Sequence, residues 1–95
     1  MIVRIVKMEF EEVHITDFES LFKITKDKIA TSKGCRELCL LHDIHKPQIF
    51  MTYSIWDSEE DLLAYRNSEL FNSTWNIVKE WFSAKPEAWS HHKIN

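Results

Sequence analysis

The stretch from Ile49 to Trp81 gathers the side chains best suited to holding a small molecule. In Ile49-Phe50-Met51-Thr52-Tyr53-Ser54-Ile55-Trp56, β-branched and aromatic types predominate and neither Gly nor Pro interrupts, which predicts a strand. Successive side chains alternate between faces. Phe50, Thr52, Ser54 and Trp56 therefore share one side, and Ile49, Met51, Tyr53 and Ile55 the other. A face that sets two hydroxyls between two aromatics offers both stacking surface and hydrogen bonds, as a pocket requires. An ordinary half-buried strand has the same composition, so this face leaves binding and packing both open.

Other reactive types lack the company their chemistry needs. Asp57-Ser58-Glu59-Glu60-Asp61 places two capping oxygens and further carboxylates in one helical first turn, where free N–H groups and the positive dipole end favour them; they read as a cap, not a metal site. Cys35 and Cys39 fall four residues apart on an expected strand, about 13 Å, beyond disulfide reach. They read as buried free thiols, since Arg36, the nearest cation, points to the opposite face. His42 and His45 flank a turn, His91 and His92 point to opposite faces of a strand, and His14 stands alone before a helix, so no metal-ligand set forms. No Ser-His-Asp arrangement is visible, and a single glycine cannot build a phosphate-cradling loop. Arg66 is suited to an anion, but a surface ion pair with Glu69 or Asp61 is the simpler expectation.

Composition narrows the class. Ninety-five residues, 44% of them hydrophobic, make a single domain over 1–95 that buries a modest fraction of its chain, so oligomerisation is expected to add burial. A formal charge of −3 with dispersed Lys and Arg offers no basic stripe for nucleic acid. No apolar run approaches the roughly 20 residues that span a bilayer, and the amino terminus alternates, unlike a signal peptide; a soluble, cytoplasmic protein is expected.

The elements that must position these residues follow from periodicity. Ile2 to Phe10 alternates as a first strand. Thr16-Asp17-Phe18-Glu19 resembles a capping box, so a helix is expected to start there, with Phe18, Leu21, Phe22, Thr25 and Ile29 on one face and Gly34 at its left-handed stop. Cys35 to His42 predicts a second strand, joined through Asp43-Ile44-His45-Lys46-Pro47 to the Ile49–Trp56 strand as an antiparallel pair. A short helix around Leu62, Leu63 and Tyr65 follows. Ser68 then caps a third helix, carrying Phe71, Trp75, Val78 and Phe82 until Pro86 ends it, and Ala88 to Ile94 closes the fold as a strand. The order βαββαβ predicts a ferredoxin-like α+β domain with one antiparallel sheet and helices on one face. The middle strands are apolar on both faces. A second copy of the sheet is the natural cover, giving a homodimeric barrel.

Gly34-Cys35, the strand ending in Trp56, the Asp57-Ser58-Glu59-Glu60 cap and Tyr65-Arg66-Asn67-Ser68-Glu69-Leu70-Phe71 together resemble the antibiotic biosynthesis monooxygenase-like family of dimeric α+β barrels. Its members include oxygenases of polycyclic phenols and quinols that use no metal or flavin, and haem-degrading enzymes. In the polyketide-oxidising branch a strand Trp, an Asn four residues before it and a Tyr on the next helix line the pocket. Those positions hold Trp56, Thr52 and Leu62 here, so two of the three polar groups differ. In the haem-degrading branch a helix Trp precedes the iron-ligating His by ten residues. Tyr65 and Trp75 hold those positions, and the first-strand Asn of that branch falls on Val6 or Lys7; haem degradation is therefore not expected.

The resemblance implies a cofactor-independent monooxygenase whose substrate supplies the electrons: a quinol or phenol ionises, reduces molecular oxygen in a dry cage, and the radicals recombine. Trp56, Tyr65 and Thr52 are the candidate catalytic residues. Trp56 and Phe50 would pack on the aromatic substrate, Thr52, Ser54 and Tyr65 would bind its oxygens, and Phe22, Phe71 and Trp75 would form the helix wall. The alternative is a non-catalytic dimer of the same fold that binds a metabolite or fills the hollow with its own side chains. A cavity bordered by Trp56, Thr52 and Tyr65 separates binding from solid packing.

Overall fold

The computed structural model describes residues 1–95. Four strands, β1 (Ile2–Glu9), β2 (Cys35–His42), β3 (Ile49–Trp56) and β4 (Glu87–His92), form one sheet in the order β2-β3-β1-β4 with every neighbouring pair antiparallel. Helices α1 (Ile15–Ala30), α2 (Glu59–Arg66) and α3 (Glu69–Val78) cover one face. This is the expected ferredoxin-like α+β arrangement. No helix is long and apolar enough to cross a membrane.

Register sets what the helices cover. β1 and β3 pair Ile2 with Trp56, Arg4 with Ser54, Val6 with Thr52 and Met8 with Phe50. The two ends of this row carry the bulk. Met8, Phe10 and Phe50 pack with Phe18 and Val78 at one end, while Ile2 and Trp56 pack with Leu62 at the other. Thr52 and Ser54, too small to fill the gap between Phe50 and Trp56, leave the middle of the covered face thinly packed.

Several boundaries depart from the sequence reading. α1 starts at Ile15, and Thr16 makes no capping hydrogen bond. The chain enters through a 3-10 turn at Glu12–His14, so the helix is already under way at Thr16; His14 is the cap residue, its Nδ1 lying 2.9 Å from Asp17 Oδ2. Of the two capping oxygens expected before α2, Ser58 Oγ accepts from Asp61 N–H, whereas Asp57 pairs with Arg36. Ser68 Oγ accepts from Phe71 N–H, so α3 is capped separately from α2. α3 ends at Val78, short of Phe82, because a 3-10 turn at Lys79–Trp81 delivers Phe82 in extended conformation to a bridge with Phe10. The closing strand starts one residue earlier and ends two earlier than expected, at Glu87–His92.

Two features tie α1 to β2. Gly34 adopts φ +83°, the left-handed conformation expected of it, and a Cβ there would lie 2.5 Å from Asp61 Cβ and 2.3 Å from its Oδ2. A bulge between Cys35 and Glu37 then flips the strand parity. Cys35 pairs with Trp56 and packs beneath α2, whereas Cys39 pairs with Tyr53 on the open face. Both thiols are half-buried, not fully buried as expected, and they face opposite sides of the sheet.

Candidate functional site

The thin middle layer is a cavity of about 360 Å³ between sheet and helices, mostly apolar in its lining. Its floor includes Val6, Leu38, Thr52, Ser54 and Trp56, and α2 closes one side with Leu62 and Tyr65. Phe22 of α1 and Phe71 and Trp75 of α3 line its helix side. Trp56, Thr52 and Tyr65, separated in sequence, therefore border one hollow.

Phe50 does not. It lies beneath the α1 end of the sheet, edge-on to Phe10 and Phe18 and stacked on His42 at 4.1 Å between ring centroids. Alternation puts it on the covered face, but two residues of strand advance carry it about 7 Å past Thr52 into the solid end of the core.

The aromatics make a continuous wall. Trp56 stacks on Tyr65 at 5.0 Å, Tyr65 meets Phe71 edge-on at 5.3 Å, and Phe71 stacks on Trp75 at 5.7 Å. Trp56 is almost fully buried and its indole N–H donates to Ser54 Oγ at 2.9 Å. Trp56 is thus a shaped surface whose donor is already engaged. Ser54 retains its own hydroxyl proton, since it makes no donated bond within the chain.

The Tyr65 hydroxyl has no hydrogen-bond partner in the protein. Burial first, and then the charge of a Cys35 thiolate, pushes its pKa up to about 12. It remains a neutral phenol over the ordinary pH range, able to donate to or accept from an oxygen in the cavity. Burial also pushes the Cys35 thiol up, against a smaller opposing effect of a backbone hydrogen bond of Glu37, so the thiol beneath Tyr65 is held in its neutral form.

Two cations that sequence reasoning did not assign also line the hollow: Arg4 and Arg66. Arg66 forms no ion pair with Glu69 or Asp61; the one arginine in the chain that pairs with a carboxylate is Arg36, with Asp57. Helix α2 ends at Arg66 and carries it onto the cavity rim instead. The signal for Arg4 was one charge in the otherwise apolar row Ile2, Val6, Met8, Phe10. Glu87 is the only acidic residue bordering the cavity, and it sits in register with Lys7, on the row belonging to the opposite face. No group of three or more His, Cys, Asp and Glu side chains comes together as a metal-ligand set.

Comparison with solved structures gives the same architecture. A Nitrosomonas europaea protein that carries the name of the antibiotic biosynthesis monooxygenases superposes with a TM-score of 0.92 at 15% identity, over 100% of both chains. A conserved Methanosarcina mazei protein gives 0.91 at 19% identity, covering 98% of this chain and 93% of its own. A Bordetella bronchiseptica protein named for the same monooxygenases gives 0.86 at 21% identity, covering 99% and 97%. At such identities the likeness is one of fold. No curated protein sequence matches this one significantly. The family model for antibiotic biosynthesis monooxygenase, however, matches residues 1–75, most of the sheet and all of α1 and α2, and the chain belongs to that family.

Proposed function

We propose that this protein is a cofactor-independent monooxygenase of a small aromatic quinol or phenol, acting as a homodimer with one cavity per subunit. The observation that carries the reading is the hollow itself. The covered face sets Thr52 and Ser54 between bulky ends and leaves about 360 Å³ rimmed by Trp56 and Tyr65, where a purely structural domain would be packed solid.

The chemistry asks little of the protein. An ionised phenol passes one electron to dioxygen, the aryloxyl radical and superoxide combine at a ring carbon, uptake of the proton released earlier gives a hydroperoxide, and loss of water leaves the quinone. An anthrol and one O2 thus become an anthraquinone and one H2O. The aromatic wall excludes water and holds the ring, Tyr65 and Thr52 hold its oxygens, and Ser54 is fixed by the Trp56 indole. The lining contains no histidine, so proton removal relies on the substrate's own acidity in the field of the site.

One observation favours a second reading, a non-catalytic dimer that binds a metabolite: Leu62 and Thr52 stand where the polyketide-oxidising branch has Tyr and Asn. Oxygen consumption with a panel of hydroquinones and anthrols decides between the two. Turnover by the parent, reduced about tenfold or more in Tyr65→Phe and further in Trp56→Ala with circular dichroism unchanged, is the expected result. No turnover on any of them, with the same compounds still binding, would leave the non-catalytic reading standing.

A further inference from the structure

Rings and hydroxyls account for most of the cavity, but not for its two guanidiniums. Arg4 is half-buried on the covered face of β1, where one Nη1–H donates to Ser90 Oγ of β4 at 3.0 Å. Arg66, at the end of α2, makes no hydrogen bond or ion pair within the chain and borders both the cavity and a shallow depression shared with Ser90, Glu59 and Glu60. Neither arginine has a carboxylate within the 4.0 Å of an ion pair. Burial, and then the nearby Arg66 charge, makes the Arg4 cation harder to maintain. Two like charges on a partly desolvated rim cost free energy unless an anion lies between them, and a guanidinium's planar fork matches an oxyanion better than any other side chain.

We propose that Arg4 and Arg66 form the anion-holding end of the cavity, so that its guest is an aromatic molecule bearing an oxyanion, either a carboxylate or an ionised phenol. This rests on the reading that the cavity takes an aromatic guest, and narrows it. Arg4 spends one N–H on Ser90 and presents the rest, while Arg66 offers its whole fork. For a phenol, the pair stabilises the phenolate and makes a protein base unnecessary, the proton passing to solvent.

The test is direct binding, followed by quenching of tryptophan fluorescence, of 2-naphthoate against its uncharged isostere 2-naphthamide. The carboxylate should bind about tenfold more tightly or better, and the gap should shrink in Arg66→Gln and Arg4→Gln and with added salt. Arg66 lies exposed at a helix end, so Arg66→Gln carries the test even where Arg4→Gln fails to fold. 2-Naphthol separates the two sources of charge. Appearance of the naphtholate absorbance on binding, below the pH at which free naphthol ionises, identifies the phenolate; tight binding of naphthoate alone identifies the carboxylate. Equal affinity for naphthoate and naphthamide, or a gap unchanged in Arg66→Gln, overturns the proposal and leaves the aromatic cavity intact. Failure of every naphthalene to bind overturns both.

Discussion

Tyr65 is the residue whose ionisation is most displaced by its setting. Its pKa rises from 10.0 to about 12 because burial disfavours the phenolate. Between those values the unfolded chain releases the proton while the folded chain keeps it. The stability this group contributes is therefore complete below pH 10 and is lost as pH climbs toward 12. Spectrophotometric titration should show one tyrosine ionising near 12, and that step should be missing from Tyr65→Phe. If the step lost in Tyr65→Phe were instead one near 10, the hydroxyl would not be held where the Trp56 stack places it. Gly34 gives a second residue-scale test. Its φ of +83° strains any L side chain, and a new Cβ would meet the Asp61 Cβ at 2.5 Å, too near the backbone for a rotamer change to relieve. Gly34→Ala should cost roughly 1–3 kcal/mol of unfolding free energy in a denaturant titration.

At the scale of elements, α2 decides whether the cavity has a roof. Eight residues are too few to be stable alone, and this helix is held by Leu62 packing on Ile2 and Trp56 and by the Ser58 cap. Ser58→Ala should cost about 1 kcal/mol, and because α2 carries Leu62, Tyr65 and Arg66 it should weaken ligand affinity as well. Ser68→Ala should cost a similar amount, since its hydroxyl accepts from Phe71 N–H and opens the helix bearing Trp75. β3 was legible in the sequence because an unbroken run of β-branched and aromatic residues has few other solutions, and β2, which has neither type, because Leu38 and Leu40 alternate with Cys39 and Leu41 between Gly34 and the Asp43–Pro47 turn; both occupy the residues expected of them. Helix ends were less legible. Thr16 and Glu19 have the types of a capping box, but the preceding 3-10 turn had already started the helix, and Phe82 keeps the helical repeat while serving a strand bridge to Phe10. Thr52 and Ser54 between Phe50 and Trp56 pointed to a hollow without separating it from an ordinary half-buried strand. The meeting of Arg4 with Arg66 was not legible, because it depends on where α2 ends over the far side of the sheet.

The whole molecule leaves one face of its sheet without helices. Val3, Ile5, Met51, Tyr53 and Ile55 form its centre, with Lys7 opposite Met51 at one end, Cys39 and Leu41 on one flank and Trp89 on the other. Leu41 is 50% exposed and Trp89 40%, a large apolar surface for a chain of 95 residues to hold in water. In the proposed homodimer a second copy of the same face, related by a twofold axis, would cover it and leave each cavity on the far side of its own sheet. Size-exclusion chromatography with light scattering should therefore give twice the 11.4 kDa chain mass at micromolar concentration. Ile5 lies between Tyr53 and Trp89 in the register, so Ile5→Lys puts a charge at the centre of the joint and should yield a monomer with a red-shifted tryptophan emission as Trp89 meets water. The variant's own cavity lies on the opposite face, so naphthoate binding should persist in the monomer. A parent chain that stays monomeric under these conditions would mean that something other than its own copy covers this surface.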